Sequence, residues 1–252
     1  MSSESMFTTE SADQNGISVV LLSWKRPKNI DVIVAELRRV EAVREIIVWN
    51  NNPAIQMSLP DCKVINSSFN FMPYARYCAA TLTSCNALLF QDDDMMFHKD
   101  GIERAYAELM KDPGRIYGSE GRNLQNGKYM FDPVYGECDI VLGQFMLFTR
   151  TLLCSVLGNL VGLAPFERGD DIAFSMLSGR KPMALNLPYD NLGKSDDVAL
   201  HKQSGHGNKR QLMVDRVMHL LEAAGPRTRR QLIADRVRRF MKRFMKRFIT
   251  RS

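Results

Sequence analysis

Asp92, Asp93 and Asp94 are three consecutive carboxylates that follow directly on the apolar run Ala87-Leu88-Leu89-Phe90 and the amide Gln91. Like charges side by side repel, and each raises the pKa of the next unless a cation compensates them. A divalent ion is the natural compensator, and a solvated acidic surface turn is the alternative. A second pair, Asp170-Asp171, follows Arg168-Gly169 and opens an apolar-periodic run through Ile172, Ala173, Met176 and Leu177. Such acids either cap a helix against its macrodipole or form a second chemical cluster. Further on, Asp190-Asn191-Leu192-Gly193-Lys194 and the polar stretch to Lys209 read as a loop carrying His201 and His206, which are exposed histidines unless a metal recruits them. The cysteines Cys62, Cys78, Cys85, Cys138 and Cys154 show no CxxC or Cys/His ligand spacing and read as free thiols of a reducing compartment.

The elements that must position these residues follow from periodicity. Ile17 to Leu22 is an apolar, β-branched run and predicts a first strand, broken by Ser23-Trp24-Lys25-Arg26-Pro27. Ile30, Ile33, Val34, Leu37 and Val40 recur at helical spacing behind Asn29 or Asp31 as the expected cap. Glu45 to Trp49 predicts a second strand, ended by Asn50-Asn51-Asn52-Pro53. Cys62 to Asn66 predicts a short third strand, Met72 to Ser84 a helix buried through Ala75, Cys78, Ala79 and Leu82, and Ala87 to Phe90 a buried strand. The order β-α-β-β-α-β is that of the nucleotide-binding half of a Rossmann-like sheet, whose ligands sit at the carboxyl ends of the strands. Gly101 to Met110 predicts a helix, Pro113 to Gly118 a turn and short strand, Ser119 to Pro133 a mobile loop, Asp139 to Phe148 a strand region interrupted at Gly143, and Thr151 to Leu157 a short helix.

Several of these motifs together resemble the exostosin-like glycosyltransferases of family 64. They are Val48-Trp49-Asn50-Asn51, Asp92-Asp93-Asp94, Pro113-Gly114-Arg115-Ile116-Tyr117-Gly118, Val141-Leu142-Gly143, Asp170-Asp171-Ile172-Ala173 and Asp190-Asn191-Leu192, in order over residues 17 to about 220. The resemblance implies a GT-A fold: a Rossmann-like mixed α/β sheet flanked by helices. It implies metal-dependent transfer of a sugar from a UDP-sugar with retention of configuration, UDP-N-acetylhexosamines being the family's habit. By similarity Asp94 binds Mn²⁺ (or Mg²⁺) directly, Asp92 supports the metal or faces the ribose, and Asp93 belongs to the same nucleotide-sugar site. Ser23, Trp24 and Arg26 then line the uracil, ribose and diphosphate, and Asn50 and Asn51 hydrogen-bond the nucleotide. Arg76 reaches phosphate or sugar, and Arg122 contacts the donor sugar. Asp171, with Asp170 as its alternate, is the acid near the anomeric centre, while His201 and Lys202 complete the metal-diphosphate site. The chain departs from the family at Ser23-Trp24-Lys25-Arg26, where Thr-Tyr-Asn-Arg is usual, at Gln91, and in a shorter loop over 119–137.

The net charge of +6 is unevenly distributed. Residues 227–252 hold eleven Lys/Arg against the single acid Asp235, so the body carries an excess of four negative charges. In that tail Ile233, Val237, Phe240, Met241, Phe244, Met245, Phe248 and Ile249 recur at spacings of three and four, predicting a basic amphipathic helix too charged to span a bilayer. An anionic membrane surface suits residues 227–251, and the Phe/Met stripe argues against nucleic acid, which is not an expected partner. Packing of the helix back onto the body is the remaining alternative. Residues 1–16 read as a disordered segment with no secretory signal, 17–226 as the catalytic domain and 227–252 as the membrane-binding helix. The expected protein is cytoplasmic and peripheral on the inner face of the membrane, acting on a glycan or glycolipid acceptor. A nucleotidyltransferase shares the sheet and paired acids, but Ser23 to Lys28 lacks the glycine-rich phosphate loop such enzymes normally carry. A non-catalytic, membrane-anchored nucleotide-sugar binding module is the other alternative.

Overall fold

The computed structural model describes residues 15–164, 168–193 and 205–223. Its first half is a parallel sheet wound in both directions from a central strand. β1 (Ile17–Ser23) is buried along almost its whole length, and α1 (Pro27–Leu37) packs Ile30, Ile33, Val34 and Leu37 onto it. Pro27 starts α1, since its missing N–H is one that a first helical turn leaves unpaired in any case. Neither Asn29 nor Asp31 caps the helix, because the cap position falls earlier, at Arg26. β2 (Val43–Asn50) and β3 (Lys63–Asn66) add outward on one side, all in parallel. The predicted long helix from Met72 is a single 3₁₀ turn followed by the short α2 (Ala75–Ala80), and Leu82 is exposed. The chain then returns to the other side of β1 as β4 (Ala87–Gln91), buried at every residue.

The second half extends that sheet in mixed fashion. β5 (Met95–Phe97) leads to α3 (Lys99–Lys111) and β6 (Tyr117–Gly118). The expected mobile loop is instead built of short pairings. β7 (Gly121–Arg122) is followed by a hairpin of β8 (Leu124–Gln125) and β9 (Lys128–Tyr129). Asn126 and Gly127 have φ of 52° and 75°, the two successive positive values that a tight hairpin turn of matching twist requires. β10 (Gly136–Glu137), β11 (Ile140–Val141) and β12 (Phe145–Thr149) follow, and β11 pairs back onto β7. The helix after β12 is twice the expected length, α4 (Arg150–Leu163), capped by Thr149 Oγ1 accepting from the Leu152 amide at 3.2 Å. α5 (Asp170–Leu177), β13 (Met183–Ala184), β14 (Tyr189–Asn191) and α6 (His206–Ala223) complete the described chain.

The main sheet has eight strands in the order β10-β13-β6-β12-β4-β1-β2-β3. β12 runs antiparallel to β4, so the sheet is mixed, and helices flank it, consistent with a GT-A-like glycosyltransferase fold. Two expected loop regions are ordered. Asp190 lies in β14, which pairs antiparallel with β5, and His206 opens α6 rather than standing in a loop. By contacts the chain divides into two compact units, residues 1–214 and 215–252, the boundary falling inside α6. The basic amphipathic helix expected at 227–252 lies outside the described residues. Among the described residues no helix is long and apolar enough to cross a membrane.

Close packing leaves no room for a side chain at Gly118, where an added Cβ would stand 2.6 Å from Val141 Cβ. Gly118→Ala should therefore lower stability by about 1–3 kcal/mol, because β6 cannot move without breaking its pairing to β12. Gly158→Ala, on the exposed face of α4 with no atom within 4 Å, should raise it by about 0.5–1 kcal/mol. Urea unfolding midpoints measure both, and equal shifts in the two variants would contradict the packing account.

Candidate active site

The winding of the sheet sets where a site can form. From β1 the chain steps outward to β2 and β3, then crosses back to β4 on β1's other side, so the strand order reverses between β1 and β4. The loops leaving the carboxyl ends of those two strands diverge onto opposite faces and leave a crevice between them, the usual ligand position in such sheets. Trp24 to Asn29 leave β1 there, and Asp92-Asp93-Asp94 leave β4.

The two segments are bound to each other. The Trp24 amide donates to Asp93 Oδ2 at 3.2 Å, and Arg26 Nη1 lies 3.2 Å from Asp93 Oδ1 and 3.8 Å from Asp94 Oδ2. Asn29 Nδ2 donates to the carbonyls of Asp93 (2.8 Å) and Leu192 (2.7 Å), so the residue predicted as a helix cap is instead a tie across the acidic turn. Arg26 Nη2 adds a bond to Gly193 O at 3.0 Å, and the Leu192 amide donates to Asp94 O at 2.8 Å. The turn is thus framed by the β1 exit on one side and the end of β14 on the other.

A second framework joins it to α5. Arg76, 4% exposed on α2, places Nη2 2.7 Å from Asp92 Oδ1, Nη1 2.9 Å from Gly143 O and Nε 3.6 Å from Asp170 Oδ2. Asp170 Oδ2 also accepts from Tyr77 Oη at 3.3 Å. Its neighbour Asp171 accepts from the Gly143 amide (3.2 Å), from its own helix at Ile172 N (2.9 Å) and from Arg210 Nη2 (3.0 Å). Gly169, with φ of 88°, turns the chain so that both acids enter the first turn of α5, where the helix dipole favours negative charge. Gly143 allows the close approach: a Cβ there would stand 3.1 Å from Arg76 Nη1.

The electrostatics separate these acids. Burial pushes Asp93 up to about 7, with Asp92 and Asp94 adding to the shift and the Trp24 amide and Arg26 opposing it. Asp92 keeps 37% of its side chain accessible, but in a recess walled by protein, and burial raises it to about 6 against the pull of Arg76. Asp170 is likewise raised to about 6 by burial, against Arg76 and with Asp171 and Asp92 adding to it. Asp171 goes the other way: burial is outweighed by Arg210 and by the two amides, and its pKa is lowered. In this network five carboxylates face the guanidiniums of Arg26, Arg76 and Arg210, an excess of two negative charges among the described residues.

That excess bears on a metal. Among the described residues no three His, Cys, Asp or Glu side chains converge to form a complete metal cage. Asp92 and Asp94 are the members of the triplet with more accessible side chains, 37% and 19% against 10% for Asp93. Their hard oxygens suit Mn²⁺ or Mg²⁺, and an ion held by one or two carboxylates takes its remaining ligands from phosphate oxygens and water. The residues present fit such an ion.

Of the residues singled out in the sequence, Trp24, Arg26, Arg76, Asp92, Asp93, Asp94, Asp170 and Asp171 form one connected network. Ser23, 1% exposed at the end of β1, has a buried hydroxyl with no partner among the described residues. Asn50 and Asn51 are 1% and 3% exposed, with their amides engaged inside the protein. Asn50 Nδ2 holds Ile55 O (2.6 Å) and Asn66 Oδ1 (3.0 Å), while Asn51 bridges Met72 O (3.2 Å) and the Phe71 amide (3.1 Å). Arg122, on β7, is taken up by Glu120 Oε1 at 2.6 Å and Gly121 O at 2.7 Å. His201 and Lys202 lie outside the described residues. Sequence reasoning missed Asn29, Tyr77 and Arg210. Arg210 carries no local signal, since its partner Asp171 is 39 positions away.

A family model described as Glycosyl transferase family 64 domain matches residues 17–157, more than half of the chain, and the chain belongs to that family. The matched stretch runs from β1 into α4, so it includes the acidic turn and Arg76, while α5 and α6 lie beyond it. No curated protein matches the chain.

The raised acids have a measurable consequence. A carboxyl group with a folded pKa above its unfolded value of 3.8 contributes stability that is full below pH 3.8 and lost as pH rises through the folded value. With chelator present, the urea midpoint should fall between pH 5 and pH 8 as Asp92, Asp170 and Asp93 ionise. Asp171, Glu45 and Asp112, all lowered, act in the opposite sense only below about pH 4.5. Asp93→Asn should flatten the upper part of the fall, and a midpoint that rises across this window contradicts the assignment.

Proposed function

We propose that this glycosyltransferase moves a sugar from a UDP-sugar to a glycan or glycolipid acceptor, with Mn²⁺ (or Mg²⁺) held by Asp94 and Asp92. The supporting observation is the acidic turn at the carboxyl end of β4, beside the exit of β1 where the strand order reverses, tied by Arg26 and Arg76 into one carboxylate-rich network. When bound, the ion neutralises charge developing on the diphosphate as the glycosidic bond breaks. On the family resemblance Trp24 and Arg26 serve the nucleoside and diphosphate, while Arg26 and Asn29 keep the acidic turn in place. Asn50 and Asn51 act by holding the ends of β2 and the 70–72 segment, their amides being already engaged. Asp171, held ionised by Arg210 and two amides, stabilises positive charge on the sugar or orients the acceptor hydroxyl. An N-acetylhexosamine donor, retention of configuration, and roles for Arg122, His201 and Lys202 at the donor rest on the family resemblance. The basic, Phe/Met-striped sequence 227–251 supports association with an anionic membrane at its cytoplasmic face.

Isothermal titration with UDP should show binding that requires Mn²⁺. Asp94→Asn should weaken it at least tenfold, about 1.4 kcal/mol. Asp171→Asn should keep UDP affinity while turnover of a UDP-sugar panel falls by about 10²–10³. Mn²⁺-independent UDP binding, or full turnover in Asp171→Asn, overturns the corresponding assignment. For the membrane, full-length protein should float with anionic but not neutral liposomes, and a chain ending at residue 226 should stay behind; equal flotation of the two removes the tail from that role.

A further inference from the structure

Phe131 is a large aromatic ring held in a fixed place yet left 55% exposed, on the segment that sequence reasoning had treated as a mobile loop. Its position is set from several sides. The ring meets Tyr129 edge-on, centroids 5.0 Å apart at 74°, and its Cζ lies 3.2 Å from where a Cβ on Gly207 would stand, at the start of α6. Three residues on, Val134 exchanges two 3.0 Å backbone bonds with Gly121, which fastens the segment to β7. On its inner side Tyr129 lies under the Arg210 guanidinium, 4.6 Å from ring centroid to carbon, and Arg210 binds Asp171 at 3.0 Å. Phe131 is therefore the outer end of a continuous row, Asp171-Arg210-Tyr129-Phe131, that starts at the acid placed beside the reacting sugar and ends at the surface.

An open ring face fixed in this way, one short row of contacts from a sugar-transfer centre, suits a pyranose. The ring face of an all-equatorial sugar is a patch of C–H groups that covers an aromatic face, while its hydroxyls project sideways to water and polar neighbours. Lys128 and Asp132, close in sequence, are exposed, as is Tyr135, and two aromatic side chains fall well short of the roughly 1,000 Å² that a stable protein interface needs.

We propose that Phe131 is a stacking platform for a pyranose residue of the acceptor, one with an all-equatorial ring. This rests on the glycosyltransferase reading and specifies its acceptor side. The test is saturation-transfer NMR of methyl β-cellobioside and methyl β-chitobioside against the full chain with UDP and Mn²⁺, alongside UDP titration calorimetry. Wild type should saturate the axial ring protons of at least one disaccharide. Phe131→Ala should reduce that signal at least fivefold and Phe131→Tyr should restore it, with UDP affinity and the urea midpoint unmoved in both variants. An unchanged signal in Phe131→Ala, no signal from either disaccharide in wild type, or a change in oligomeric state or liposome flotation in place of sugar binding overturns the proposal. Absent UDP binding with the disaccharide signal intact would overturn the donor reading alone, so the two failures are distinguishable.

Discussion

The site depends on one buried cation. Arg76 sits almost without solvent between Asp92, Asp170 and the Gly143 carbonyl, so a single guanidinium joins α2, the acidic turn after β4, the loop before β12 and the start of α5. Taking that charge out of water costs several kcal/mol, and only paired acids and an aligned carbonyl can offset it. The arrangement is reciprocal: each acid alone would be a buried charge, and each gains its counter-charge from the same group. Breaking one arm leaves the others over-charged, so the elements are constrained to arrive together. Arginine suits this position better than lysine, because its planar fork offers donors in several fixed directions at once.

That constraint explains why the carboxylates need so much scaffolding. The triplet has Arg26, Asn29 and the Trp24 amide on one side, Leu192 and Gly193 on another, and Arg76 behind it. Yet the described cations fall short of the carboxylates by two. A protein gains nothing in stability from leaving that imbalance, since burial raises Asp92 and Asp93 despite Arg76, Arg26 and the Trp24 amide, and the neighbouring carboxylates add to the rise. Sites that are under-compensated in isolation are where a charged ligand or ion contributes most.

Much of this was legible in the sequence, and the failures have physical reasons. Apolar runs located β1, β2 and β4, and the acidic turn could be assigned to the end of β4 because a fully apolar strand cannot continue into three carboxylates. The loop expected at 119–133 is a hairpin, and its signal was present in Asn126-Gly127, a pair whose tolerance of positive φ favours a tight turn. Composition rich in Gly and Asn obscured it. Asn29 looked like a cap, but Pro27 moved the helix start forward and released its amide for Asp93. Arg210 could not be found by any local pattern, because its role exists only once α5 and α6 are in place.

The two acids of α5 show how position divides labour between adjacent, identical residues. Asp170 points toward Arg76, shared with Asp92, and toward the Tyr77 hydroxyl, and its pKa rises. Asp171 has Arg210 to itself, plus two backbone amides, and its pKa falls. One helical step therefore separates a carboxyl group that is readily protonated from one that stays charged near neutral pH. Pairs of titratable groups driven apart in this way mark distinct chemical roles. Here the permanently ionised member is the one whose counter-ion lies on the row leading out to Phe131. On the proposed reading this fixed negative charge lies beside the sugar with its cation turned toward the acceptor side, so that the acceptor's approach and the charge at the reaction centre share one support.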